Sequence, residues 1–218
     1  MVRDAHATAS PAGPGEEDGS VPPADRILAA ALACMERDGI EATGIRDIAR
    51  EAGVNSAAIN YYFRSKDNLI RLALERSLEN AFDEIVSELD RMRAEGLPTR
   101  TALEHVMDDY VRHVGDYPRL AYAHLRDALV NQRYEGEAVK RLNAFLEQLL
   151  ERLAPEPTSA RAQELRLLLM QAWGSLLLLG VLPRLFEPFQ KLDFSDAAVR
   201  ARYVGRLFAG VYAWLEGR

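Results

Sequence analysis

The residues best suited to chemistry lie close together, in the stretch TGIRDIAREAGVNSAAINYYFRSKDNL that occupies positions 43–69. Ser56, Ala57, Ala58 and Asn60 combine two short polar side chains with two that scarcely extend beyond the backbone. Such a surface can come close to a base edge, and an Asn amide matches adenine N6 and N7 with two hydrogen bonds. Tyr61 and Tyr62 offer hydroxyls to phosphate oxygens or rings to a thymine methyl. Lys66 follows Ser65, a residue type that caps helices, so an ammonium and a helix N-terminus would both face a phosphate there. This is the chemistry of reading a polyanion. Elsewhere there is no Gly-rich phosphate loop, no nucleophile beside a base and no carboxylate–histidine cluster in a convincing pocket, so neither an enzyme nor a cofactor is expected.

These side chains need a helical frame. Ile27, Leu28, Ala31, Leu32 and Met35 form one stripe and predict a first helix over 24–37, closed by Asp38-Gly39. Thr43 is of a type that N-caps a second helix, in which Ile48 and Ala49 face inward. Gly53 permits a sharp corner, Val54 plugs it, and a third helix over 56–62 buries Ile59 and Phe63. The pattern is a helix-turn-helix, with the third helix entering the major groove.

Composition sets the bounds. The chain has 218 residues, 48% of them hydrophobic and 28% charged, and its apolar residues recur at spacings of three and four. An all-helical protein is expected. Its net charge of −6 argues against a partner held by charge alone. Over 43–71 the basic residues Arg46, Arg50, Arg64, Lys66 and Arg71 outnumber Asp47, Glu51 and Asp67 by only two. One such head would hold DNA weakly; two on a dimer would do better. The lone Cys34 excludes an internal disulfide. No apolar leader is seen, and the apolar run over 167–182 is broken by Gln171 and Ser175 and is shorter than the roughly 20 residues a bilayer needs. A soluble, cytoplasmic chain with no membrane partner is expected.

The motif AT-x-x-x-DIAREAGVN followed by INYYF-x-SK-x-x-L resembles the TetR/AcrR family of bacterial transcriptional regulators, closely over 26–74. The resemblance implies a three-helix DNA-binding head on a larger helical body that dimerises and binds a small effector. It places Thr43 and Arg46 at phosphate or the groove. Ser56, Ala57, Ala58 and Asn60 fall at base-facing positions, Tyr61 and Tyr62 at backbone-facing ones, and Lys66 at a phosphate clamp. Many members carry Tyr where this chain has Asn60, and His where it has Tyr62, so no operator sequence carries over. Repression, rather than activation, is likewise what the family implies. The rival reading is a helical ligand receptor or partner-binding module whose head has lost sequence-specific DNA binding.

The rest of the chain divides accordingly: a tail over 1–23, a head over 24–70, and a ligand-binding and dimerisation body over 71–218, about nine helices in all. A long helix over 66–94 links head and body. Met107, Tyr110, His113, Tyr117, Tyr122, His124, Met170 and Trp173 are the soft, aromatic and polar candidates for an effector pocket suited to a largely apolar small molecule. His105, Asp109 and His113 have metal-ligand spacing, yet lie toward a polar flank; no metal is expected. The last two helices, over 158–182 and 195–215, carry Trp173, Leu176, Leu177, Leu179, Val204, Leu207, Phe208 and Val211. Paired with a second copy they predict a four-helix bundle, a homodimer with two-fold symmetry, and hence a palindromic operator.

Overall fold

A computed structural model describes residues 21–217, apart from positions 115, 155, 157 and 183 and the side chains of 113, 114, 187 and 190. The expected tail lies outside the described residues except for its last three, and Pro23 already opens a helix. All regular elements among the described residues are helices.

Three short helices make the head. In α1 (Pro23–Asp38) a proline fills the first turn, where a missing N–H costs nothing. Gly39 ends it, as expected, with φ 88° and ψ 157°, a positive φ outside the left-handed helical region. Helix α2 (Ile45–Ala52) starts one residue later than Thr43 would dictate: Gly44 is the N-cap, and no side chain caps it. Thr43 is 1% exposed, and its hydroxyl donates to the Gly39 carbonyl at 2.8 Å. It therefore ties the α1–α2 turn together and faces neither solvent nor a phosphate, which corrects both roles expected of it. Thr43→Val is expected to cost about 0.5–1.5 kcal/mol in a urea titration, the net loss of one hydrogen bond to a carbonyl that still accepts from the backbone N–H of position 43 at 3.1 Å. DNA affinity per folded molecule should not change; a drop in affinity with intact stability would restore the phosphate role.

Gly53 takes the left-handed conformation, φ 65° and ψ 36°, at the corner. Asn55 then caps α3 (Ser56–Phe63) by accepting from Ala58 N at 2.8 Å. Ile27, Ala31, Met35, Ile48, Ile59, Phe63 and Leu69 close the head's own core.

Helix α4 (Lys66–Ala94) begins at the Ser65 cap, whose hydroxyl accepts from Asn68 N at 3.2 Å. Its first turns bury Leu69 and Ala73 in the head, and its last bury Ile85, Val86, Leu89 and Met92 in the body. One rod thus belongs to both cores, as its continuous stripe predicts. The body continues with α5 (Thr99–Val114), α6 (Pro118–Asn131), α7 (Glu137–Leu153) and α8 (Ala160–Val181). A one-turn α9 (Glu187–Gln190) sits in the connector, and α10 (Ala197–Leu207) and α11 (Ala209–Leu215) replace the single last helix expected.

At 22 residues α8 is long and apolar enough to cross a membrane by length and composition, contrary to the estimate from its apolar run. Here it packs instead against α5, α6, α7 and α11. Gly210 brings α11 close to it: a Cβ there would lie 2.5 Å from Leu168 Cδ2. The centre of the body is aromatic. Trp173 meets Phe145 edge-on at 4.8 Å between ring centroids and Tyr110 at 5.0 Å, and Phe82 stacks on Phe145 at 4.5 Å.

Helices α10 and α11 fold back onto α5 and α8 of their own chain. That packing corrects the expected dimer face. Trp173, Leu176, Val204, Phe208 and Val211 are buried in the core of a single chain, and Leu179 and Leu207 pack against it. The apolar side chains α8 leaves in solvent are Leu167, Met170 and Leu178.

Candidate nucleic-acid interface and cavity

The polar face of α3 points away from the molecule. Ile59 and Phe63 anchor the helix from below, which turns Ala57, Asn60, Tyr61 and Tyr62 outward. Ser56 and Ala58 are half-buried at its start. Tyr61 is 72% exposed and meets Tyr62 edge-on, ring centroids 5.2 Å apart. Two exposed tyrosines on a short helix have no packing role, so they are available to a partner. Arg46 is exposed on α2, and Lys66 occupies the first position of α4. Asn68 ties α4 to α3 by donating from Nδ2 to the Phe63 carbonyl at 2.9 Å, a link the sequence did not reveal. Of the expected DNA-facing set, all but Thr43 lie on α3, the start of α4 or the exposed side of α2.

Positive charge on this face is modest. Arg50 is held by Asp47 at 2.6 Å and Arg71 by Glu75 at 2.6 Å. Arg64, the exposed C-cap of α3, Arg46 and Lys66 carry charge close to α3.

The second feature is a cavity of about 530 Å³ where head and body meet. Ala29, Leu32, Ala33 and Glu36 of α1 form one wall; Phe82, Tyr110, Leu142 and Leu177, from four helices of the body, form others. Three of the expected pocket residues line it: Tyr110, Tyr117 and His124. Burial pushes the His124 imidazole down to about 4, so it is neutral at pH 7, and raises the Tyr110 phenol to about 12.

Four of the other five expected pocket residues lie elsewhere. Met107 is wholly enclosed in the body core, Trp173 lies behind Phe82 and Tyr110, and Met170 and Tyr122 face solvent. The His113 side chain lies outside the described residues. Leu177, expected at a dimer interface, is a cavity residue. Sequence reasoning missed Glu36, Phe82 and the α1 wall. Ala29, Ala33 and Glu36 follow helical spacing on a second face of α1, and that small-residue face was the available signal.

The two features are joined at one seam. The Glu36 carboxylate accepts from Leu120 N at 2.9 Å and Arg119 N at 3.5 Å, capping α6 from α1. In return Arg119 Nη1 donates to the Arg37 carbonyl at 2.6 Å, near the end of α1. Arg126 of α6 pairs with Glu41 in the α1–α2 turn at 3.2 Å. A molecule in the cavity therefore touches the head directly. Among the described residues no three His, Cys, Asp or Glu side chains gather as metal ligands.

Comparisons agree with this geometry. Residues 27–73 match the family model described as bacterial regulatory proteins, tetR family. The HTH-type transcriptional repressor KstR2 of Mycolicibacterium smegmatis is 25% identical over 116 residues, 47% of this chain and 57% of that protein. The HTH-type transcriptional dual regulator CecR of Shigella flexneri is 35% identical over 85 residues, 38% of each. The chain spans about half the length, or less, of these curated relatives.

Among solved structures, the fatty acid degradation regulator FadR from Bacillus halodurans superposes with a TM-score of 0.62 at 19% identity, covering 91% of this chain and 97% of that one. FadR from Bacillus subtilis in complex with stearoyl-CoA gives 0.57 at 18% identity, covering 85% and 98%. At such identities these likenesses speak for the fold. Residues 27–73 thus carry the helix-turn-helix head of the bacterial regulatory proteins of the tetR family, and the helical body shares the fold of these solved structures.

Proposed function

We propose that the protein is a homodimeric transcriptional repressor that binds a palindromic operator through α3 and is released by a small, largely apolar effector in the head–body cavity. The observation that carries this reading is the cavity wall itself. It is built jointly from α1, whose other face closes the DNA-binding head, and from helices of the body. Whatever fills that space acts on the spacing of head and body, and in a dimer on the distance between two reading helices. A cytoplasmic location follows from this role. The long acyl chain named in the FadR complex agrees with an apolar effector in general terms only.

For the dimer, the solvent-facing stripe of α8 supports pairing through Leu167, Met170, Gly174 and Leu178, spaced at three, four and four. A Cβ on Gly174 would meet nothing within 4 Å, so a second α8 could approach closely there.

The test is a gel shift with DNA from upstream of the protein's own gene, with salt varied. Steep loss of binding with salt, together with sequence preference, is expected. Asn60→Ala should cost about 1–3 kcal/mol on the operator, with little change on random DNA. Lys66→Ala should weaken both alike and flatten the salt slope by about one. Equal loss on specific and random DNA for Asn60→Ala would remove the base-reading role. No sequence preference in the native protein would favour a receptor whose head no longer reads DNA.

A further inference from the structure

The effector's chemical class can be narrowed from charge. Among the described residues lining the 530 Å³ cavity, Glu36 is the one with a formal charge at neutral pH, and no Lys or Arg is among them. Three aromatic rings, Phe82, Tyr110 and Tyr117, also line the cavity. The cavity continues past Leu78, His124 and Ala138, which also line a neighbouring space of about 290 Å³. There Glu75, Asp127 and Glu137 stand beside Arg71 and Arg133. Arg71 is held by Glu75 at 2.6 Å, and Arg133 lies 4.0 Å from Asp127. Glu137 in turn is paired with Arg141 at 3.1 Å, so each carboxylate of the smaller space has an arginine, and Glu36 is the carboxylate that faces no cation among the described lining residues. The cations of the seam are engaged elsewhere: Arg119 on the Arg37 carbonyl, Arg126 on Glu41, and Arg37 on Asp38 and Glu51. A carboxylate or a phosphate entering here would meet like charge without a cation to receive it.

We propose that the cavity takes a lipophilic cation, an apolar amine in its ammonium form, with the charge shared between the Glu36 carboxylate and the aromatic wall. This rests on the reading of the cavity as an effector site. An ionised carboxylate offers about four acceptor positions, and Glu36 uses two on α6, so an ammonium can be received there. Aromatic faces attract the same charge. The ammonium competes for the oxygens that cap α6, so its arrival loosens the seam between body and head. Recognition and release are then one event at one side chain.

The experiment uses the whole protein and four probes at pH 7, each below its micelle-forming concentration: decylamine, decanol, decanoate and lauroyl-CoA. Binding is measured by calorimetry, and release of operator DNA by fluorescence anisotropy. Decylamine is expected to bind about tenfold more tightly than decanol. Decanoate should bind more weakly still, and decylamine should release DNA. Glu36→Gln keeps a carboxamide oxygen for Leu120 N, so the fold persists; in this variant decylamine and decanol should bind alike. Tightest binding by decanoate or lauroyl-CoA overturns the cation preference and leaves the effector site standing. A Glu36→Gln protein that still prefers decylamine overturns the role of Glu36. If none of the four probes binds, the cavity is not an effector site and both readings fall.

Discussion

Arginines at Met170 and Leu178 together are expected to give a folded chain that elutes as a monomer and binds operator DNA at least about a hundredfold more weakly than the native protein. Met170 is 61% exposed and Leu178 38%, and both sit on the outer stripe of α8, so neither substitution disturbs the core of the chain. Two guanidiniums related by a two-fold axis would face their own copies, and the bundle would not close. The loss at DNA follows from the head. Its basic excess is small, and Arg50 and Arg71 are already paired with Asp47 and Glu75. A single head therefore has little to hold with, and on the proposed reading an operator is bound because two heads are held at a fixed distance. Size exclusion and anisotropy on the same sample check both halves. A double variant that remains dimeric would move the interface away from α8, and a monomer with full affinity would remove the need for pairing.

Trp173→Ala is expected to cost about 3–5 kcal/mol in a urea titration, the largest loss of any single change considered. The indole is 1% exposed and meets Phe145, Tyr110 and Phe82. Alanine would leave a hole that three large rings cannot close without leaving their own contacts. Trp173 was expected both in the effector pocket and at the dimer face, and the measurement separates those roles from a core role. Made in the monomeric Met170/Leu178 background, the loss cannot come from the interface. A cost below about 1 kcal/mol there would return Trp173 to the interface or the pocket.

The head was readable because its signals are local. Gly53 at the corner, Ser65 as a cap, and Ile59 and Phe63 one turn apart each act within a few residues, and each is found as expected. The same reasoning failed at Thr43. A Thr before a helix caps it only if the backbone brings its hydroxyl to the right N–H, and here the α1–α2 turn brought it to the Gly39 carbonyl instead. Asn55 went unnoticed as the cap of α3, although its type and its place just before Ser56 suit that role.

In the body the stripes were right and their partners were not. Val204, Phe208 and Val211 follow helical spacing in one chain or between two, and periodicity does not say which. The structure folds α10 and α11 onto their own chain, and the free face of α8 passes to Leu167, Met170 and Leu178.

By itself the sequence determined the helical class, the helix-turn-helix with Asn60 and the two tyrosines on its polar face, and the rod from Lys66 to Ala94, all through contacts between near neighbours. Only the tertiary structure decided which apolar faces are spent inside one chain, that α1 walls the cavity, and that Glu36 caps α6. Those depend on residues far apart in the chain, 42 positions for Leu168 and Gly210 and 84 for Glu36 and Leu120, and no local pattern records where a helix of the body will come to rest against the head.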